Sequence, residues 1–131
     1  MNGLDSLFVS GKEVDESLLV SILSPFLNIH QESGAIIPDE RWVKTTNEYK
    51  VILFLVARKA IKLRGLPIDN EGVFPAEIEK ETGIKGSSIR PVLKSLFDNR
   101  TISKTQDGRY YVPNYSLTKV NAMVQALLKE K

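Results

Sequence analysis

The sequence predicts an α+β fold that is mainly α-helical, and three observations carry this prediction. Residues 51–57 form an unbroken apolar run between a helix-start and a helix-stop signal, which indicates a long buried helix. Residues 75–98 show the capping and apolar spacing of two short helices joined by a tight turn. The pair Asp107-Gly108 lies between two strand-like runs and therefore indicates a β-hairpin.

Length and composition are those of one ordinary globular domain. The 131 residues are 42% hydrophobic and 26% charged, which argues against global disorder. Cysteine is absent, so disulfides and thiolate metal sites are excluded. Residues 1–17 lack a signal or transit pattern, and the longest apolar run is far shorter than the roughly 20 residues of a membrane span. We therefore expect a cytoplasmic protein with no membrane partner.

The first 46 residues are expected to form an accessory segment packed on the core. Residues 1–12 are expected to be loose, with a short docking helix as the alternative. Asp15 or Ser17 can then cap a helix that ends near Ser24.

A small hairpin is expected next, at residues 26–37, because apolar residues alternate on both sides of a Glu-Ser-Gly turn. Asp39 then begins a turn of helix that places Trp42 on the core.

The central helix is predicted between a capping box at Thr45 and Glu48 and a stop at Gly65. A helix that is apolar on every side must be covered on every side. We expect the N-terminal region or a second subunit to supply this cover. Its basic end, residues 58–64, is interpreted as a solvated helix end, with additional phosphate contacts as the alternative.

The next two helices are short. Pro75 suits the first position of a helix whose Ile78 faces inward and whose C-cap is Gly83. After a turn at 84–86, the following helix is expected to begin at Ser87 or Ser88 and to run through residue 98. Pro91 fits there because it is the fourth residue after a cap at Ser87. The positions expected to face the core are Ile89, Val92, Leu93 and Leu96.

Residues 101–113 are predicted to form the hairpin, and Ser116 is predicted to cap a last helix through 131. One face of this helix is apolar, which favours homodimerisation, with folding back over residues 51–57 as the alternative. The residues of this face are Leu117, Val120, Val124, Leu127 and Leu128.

With these elements in place, residues 47 to about 113 resemble the winged helix-turn-helix superfamily of DNA-binding proteins. The motif that carries the resemblance is AEIEKETGIKGSSIRPVLKSL, residues 76–96, followed by the Asp-Gly hairpin. The first 46 residues resemble no family. The resemblance implies a winged helix-turn-helix domain at 47–115, in which helix 87–98 enters the major groove and hairpin 101–113 is the wing.

The charge distribution points the same way. Residues 85–109 carry six basic and two acidic side chains, a balance of +4, whereas residues 1–84 carry nine basic and thirteen acidic ones, a balance of −4. Arginine suits guanine edges, and lysine and serine suit phosphates. The candidate DNA-binding residues are Lys85, Ser87, Ser88, Arg90, Lys94, Ser95, Lys104 and Arg109.

Two features leave alternatives open. The same cations can simply solubilise a short helix, and the acidic helix before them, with Glu77, Glu79 and Glu81, disfavours an extended DNA footprint. Tyr110, Tyr111 and Tyr115 are interpreted as packing residues, with base stacking as the alternative.

Enzyme chemistry finds little support in the sequence. The single histidine, His30, has no second histidine or cysteine near it, and no glycine-rich phosphate loop is present. We therefore expect a small transcriptional regulator that binds double-stranded DNA sequence-specifically, without catalytic residues, metal or cofactor. The alternatives are a protein-interaction adaptor, whose partner binds the acidic N-terminal segment with Trp42, and an RNA-binding protein.

Overall fold

The structure is a computed structural model that describes residues 15–66, 68 and 70–130. Within these residues it contains six α-helices and two antiparallel two-stranded hairpins, which confirms the predicted α+β, mainly α class. The expectations for residues 1–12 lie outside the described residues. In chain order the elements are α1 (Glu16–Leu23), β1 (Leu27–Ile29), β2 (Ile36–Pro38), α2 (Glu40–Lys44), α3 (Asn47–Leu63), α4 (Pro75–Thr82), α5 (Gly86–Asp98), β3 (Ser103–Lys104), β4 (Tyr110–Tyr111), a 3-10 turn (Asn114–Ser116) and α6 (Leu117–Lys129).

Helix α1 begins after Asp15, one of the two predicted caps. The Asp15 carboxylate accepts hydrogen bonds from the backbone N–H groups of Ser17 (3.0 Å) and Leu18 (3.3 Å), which have no partner inside the helix. The Ser17 hydroxyl donates a further bond and is the main reason that the pKa of Asp15 is lowered from its usual value of 3.8. The cap is therefore the ionised form of this carboxyl.

The first hairpin and α2 follow as predicted. Ile29 pairs with Ile36 across the antiparallel strands β1 and β2. Asp39 caps α2 by accepting the backbone N–H of Arg41 at 2.9 Å, and Trp42 is only 8% exposed. The short helix thus fixes the single tryptophan in the core.

Helix α3 begins one residue later than predicted. Thr46 is its N-cap and accepts the backbone N–H of Tyr49 at 3.3 Å, whereas Thr45 ends α2 by donating its own N–H to the carbonyl of Arg41. The predicted capping box at Thr45 is therefore wrong, because that residue is still part of the preceding helix end. The stop at Gly65 is as predicted, since this residue has a φ of +82°.

The central helix is covered on every side by its own chain. Every residue from 51 to 57 is at most 2% exposed. Helix α1 packs against one side of α3, and α4, α5 and β4 pack against the others. Of the two predicted sources of cover, the N-terminal region therefore supplies it without a second subunit.

Helix α6 lies against α1. Its apolar residues Leu117, Val120 and Val124 are buried, and the Ser21 hydroxyl on α1 donates to the Asn121 side-chain oxygen at 2.8 Å. The apolar face that suggested dimerisation is thus packed within one chain. Ser116 precedes this helix as predicted but makes no side-chain cap; a 3-10 turn leads into α6 instead.

A buried lysine joins α3 to the segment before α4 and to the turn after the second hairpin. The Lys59 ammonium lies 2.7 Å from the Glu71 carboxylate and donates to the side-chain oxygen of Asn114 at 2.5 Å. Because Lys59 is only 3% exposed, the expected solvated helix end is wrong at this residue. Arg58 also turns inward and donates to the carbonyl of Asn70 at 2.8 Å.

Candidate nucleic-acid interface

Helix α4 and the turn after it are built by local capping. Pro75 is the first residue of α4, and the Glu77 carboxylate accepts the backbone N–H of Phe74 at 3.0 Å. Gly83 ends the helix in the left-handed region, with a φ of +78°. Ile78 and Ile84 are buried on either side of it, so the turn is anchored in the core.

Helix α5 begins earlier than the sequence predicted. Its first residue is Gly86 and its N-cap is Lys85, whose carbonyl accepts the N–H groups of Ser88 (2.9 Å) and Ile89 (3.0 Å). A Cβ on Gly86 would lie 3.0 Å from Oε1 of Glu79, a close approach that this flexible side chain could relieve by moving its end. Ser87 and Ser88 are first-turn residues, and the prediction that one of them is the cap is wrong.

This earlier start changes the position of Pro91. It is the sixth residue after the Lys85 cap and lies inside the helix. Because proline has no N–H, the carbonyl of Ser87 lacks its usual helical donor. The expected position four residues after the cap is therefore also wrong, and α5 accommodates the ring in its second turn.

The two faces of α5 divide as predicted. Ile89, Leu93 and Leu96 are at most 2% exposed, and Val92 packs at the edge of the core. On the opposite side the structure exposes the side chains of five candidate residues and leaves Ser88 half-buried. The exposed residues are Lys85, Ser87, Arg90, Lys94 and Ser95.

Two basic side chains define the centre of this exposed face. Arg90 and Lys94 are four residues apart, so they lie one turn from each other on the same side of α5. Lys94 forms an ion pair with Asp98 at 3.1 Å, with 79% and 60% of the two side chains exposed. Such an exposed pair contributes at most about 1 kcal/mol, so a phosphate can displace the carboxylate.

The second hairpin is shorter than the predicted range 101–113, with two paired residues in each strand. Lys104 pairs with Tyr110, and Val73 adds one bridge on the other side of that tyrosine through bonds of 2.8 and 3.0 Å. Gly108 turns the chain at the tip with a φ of +94°. The hairpin is thereby attached both to the C-terminal end of α5 and to the segment before α4.

The two basic residues of the hairpin lie in different surroundings. The Lys104 ammonium is placed between two aromatic rings, 5.5 Å from the centre of Phe97 and 5.3 Å from that of Tyr110. Phe97 lies on α5 and is 44% exposed, so Lys104 extends the basic surface of that helix.

Arg109 instead faces the start of α4. It ion-pairs with Asp107 at 3.1 Å and with Glu77 at 3.7 Å, and its guanidinium lies 4.4 Å from the centre of the Phe74 ring. Only 28% of its side chain is exposed. Arg109 therefore fastens the hairpin to α4 and also neutralises one of the acidic residues that disfavoured phosphate binding.

The tip of the hairpin is held by a charged carboxylate. The Thr105 hydroxyl donates a short hydrogen bond to Asp107 and is the largest cause of the lowered pKa of that residue, with Arg109 contributing further. The same hydroxyl accepts the backbone N–H of Arg109 at 3.0 Å. These contacts fix the conformation of the Asp-Gly turn.

Sequence reasoning missed Arg100, which follows α5 directly. Its φ is +67°, and it occupies the left-handed position of a Schellman motif, with hydrogen bonds from Arg100 to Phe97 (3.1 Å) and from Thr101 to Leu96 (2.9 Å). Glycine or asparagine usually marks this position, so no residue-type signal identified it. Arg100 is exposed and adds a further basic residue directly after the C-terminal end of α5.

No protein-family model, curated protein or solved structure matches this chain. The superfamily resemblance therefore remains a prediction from the motif and its hairpin. Among residues 15–66, 68 and 70–130, no group of three or more His, Asp and Glu side chains is placed to hold a metal ion. None of the helices described is long and apolar enough to cross a membrane.

Proposed function

We propose that the protein is a winged helix-turn-helix transcriptional regulator that binds double-stranded DNA sequence-specifically through α5. The observation that carries this proposal is the division of α5 into a face buried in the core and a face that presents Arg90 and Lys94 to solvent. A helix of this kind is rigidly held while its polar side remains available to a ligand.

The dimensions of the helix suit a DNA groove. An α-helix with its side chains is about 10–12 Å across, and the major groove of B-DNA is about 12 Å wide. Arg90 can make paired hydrogen bonds to the O6 and N7 atoms of guanine, and Lys94 and Lys85 can reach phosphates. The β3–β4 hairpin, with Lys104, lies beside the C-terminal end of α5 and is the proposed wing.

The acidity of α4 is a smaller obstacle than its sequence indicates. Glu77 is half-buried, accepts the Phe74 N–H and pairs with Arg109, so its charge is compensated within the protein. The repulsion of phosphate by α4 is thus reduced at the residue nearest to the hairpin.

The test is fluorescence anisotropy with labelled random-sequence duplex DNA over a salt series. The control for Arg90→Ala/Lys94→Ala is Arg41→Ala/Lys44→Ala on α2, because Lys44 forms an exposed ion pair with Glu40 at 3.1 Å, the same distance and spacing as Lys94 with Asp98. We expect the α5 variant to lose at least about 10-fold in affinity and the salt slope to fall by about 1 per lost phosphate contact.

The α2 control removes the same charge and should retain nearly all of the binding. Equal losses in the two variants would show that only net charge matters, and no binding at low salt would reject the proposal. Repeating the titration with duplex RNA of the same sequence distinguishes an RNA-binding protein.

A protein-interaction adaptor is the second candidate, supported by a groove that no residue of α5 lines. The groove has a volume of about 370 Å³ and is formed by α1, the end of β1 and the end of α3. Val20 and Leu63 line it and are 64% and 46% exposed, respectively. Trp42, the residue expected to bind such a partner, is buried and does not contribute. Absence of duplex binding even at low salt would favour this function.

A further inference from the structure

The two central cations of α5 share their surface with two carboxylates of the same protein. Lys94 is 3.1 Å from Asp98. Above Gly86, the site that a Cβ would occupy is 3.0 Å from Oε1 of Glu79 and 4.0 Å from Nη1 of Arg90, so these two atoms are at most 7.0 Å apart. Lys94 therefore has a carboxylate at 3.1 Å, and Arg90 has one within 7.0 Å.

We propose that Glu79 and Asp98 weaken non-specific DNA binding at the α5 surface by competing with DNA phosphates for Arg90 and Lys94. The inference rests on the proposed DNA-binding function and identifies two acidic residues of the same site. The proposed effect differs from a general effect of net charge, because each carboxylate acts on one particular basic residue.

The physical basis is that phosphate contacts contribute affinity for every sequence alike, whereas carboxylates on the reading face oppose them. In a non-specific complex, phosphates come close to Glu79 and Asp98, and no hydrogen bond offsets the repulsion between the negative charges. At a site where a cytosine amino group donates to one of these carboxylates, the repulsion is offset by a hydrogen bond. The carboxylates thus weaken wrong complexes more than a correct one, which raises specificity.

The expected magnitude is that of one unit charge acting on a phosphate through water. For a phosphate about 7 Å from the carboxylate, this interaction changes binding by about threefold, and the separation lies within the Debye length of about 10 Å at 0.1 M salt. Removing one carboxylate should therefore tighten random-duplex binding about threefold, and removing both should tighten it about tenfold. The gain should shrink as salt rises.

The experiment compares Glu79→Gln and Asp98→Asn with two controls that remove the same charge elsewhere. Glu81→Gln is on the same helix as Glu79, and Glu40→Gln breaks the exposed pair with Lys44 that matches the pair of Asp98 with Lys94. Each variant is titrated with random-sequence duplex at 50 and 300 mM salt, after circular dichroism has verified its folding.

A fifth variant, Gly86→Ala, is designed to move the Glu79 carboxylate without changing the net charge of the protein. Its Cβ would lie 3.0 Å from Oε1 of Glu79, which is the end of a flexible side chain and can move away. We expect this variant to bind random duplex more tightly than wild type, although its net charge is unchanged.

Each outcome decides the proposal. Tighter binding by Glu79→Gln and Asp98→Asn, with both controls near wild type, supports it. Equal gains in all four charge variants, or no gain in any of them, would overturn it while wild-type binding and its loss in Arg90→Ala/Lys94→Ala leave the proposed function standing. If neither wild type nor any variant binds duplex at 50 mM salt, the proposed function and this inference both fail.

Discussion

The buried pair of Lys59 and Glu71 leads to an asymmetric prediction about stability. Only 4% of the Lys59 side chain is exposed, compared with 26% of the Glu71 side chain. Glu71→Ala leaves a buried ammonium with the Asn114 oxygen and no opposite charge, which costs about 3–5 kcal/mol. Lys59→Met fills the space with an apolar chain and leaves a carboxylate that water still reaches, so its cost is smaller, about 1–2 kcal/mol.

The double variant, Lys59→Met/Glu71→Ala, removes both charges and should cost less than the sum of the two single changes. The measurement is the free energy of unfolding from urea titrations at pH 7, followed by circular dichroism. A total stability of about 5–15 kcal/mol makes the Glu71→Ala loss easy to detect. Equal costs for the two single variants, or additive costs in the double variant, would refute the reasoning from burial.

Three further predictions concern Arg100, the hairpin tip and the central helix. Arg100→Gly should raise the free energy of unfolding by about 0.5–1 kcal/mol, because relief of left-handed strain exceeds the added freedom of the unfolded chain; an unchanged or lower urea midpoint would contradict this. The lowered pKa of Asp107 means that the tip contacts are complete above its usual pKa of 3.8 and are lost as pH falls through the lowered value; a carboxyl NMR titration midpoint at or above 3.8 would disprove it. Leu55→Ala, at a fully buried position of α3, should cost about 2–5 kcal/mol in urea unfolding, whereas a loss below about 1 kcal/mol would show that the site is not packed on all sides.

The parts of the fold that the sequence predicts correctly depend on signals within a few residues. Asp15, Asp39 and Gly83 mark helix ends through their own side chains or backbone freedom, and all three lie where they were expected. The Asp-Gly turn of the second hairpin is of the same kind. These signals need no knowledge of the rest of the chain.

The errors arise where a distant or equivalent residue decides the outcome. Thr45 and Thr46 are equally good caps, and only the end of α2 selects the second one. The start of α5 has no side-chain cap to mark it, because the N-cap residue Lys85 makes no such hydrogen bond. Lys59 is buried with partners 12 and 55 residues away, and local sequence patterns do not reveal contacts at such separations.

The candidate site divides in the same way between features set by local sequence and features set by distant residues. The exposed positions of α5 follow from helical spacing, so Arg90 and Lys94 are where the periodicity places them. The environment of Arg109 does not follow, because Glu77 and the Phe74 ring reach it across the space between α4 and the hairpin. The sequence identified the basic residues, but it did not show which of them form ion pairs with acidic residues of the same chain, as Arg109 does.

The packing of α6 on α1 also determines when the chain can complete its fold during synthesis. The bonds from Ser21 to Asn121 and from Gln125 to Ser21 join residues separated by 100 and 104 positions. At about 5–20 residues per second, the ribosome needs roughly 5–20 s to add the segment between them. During that interval the side of α1 that α6 later covers is exposed to solvent and to other nascent chains. Helix α1 is therefore translated about 100 residues before the helix that completes its enclosure.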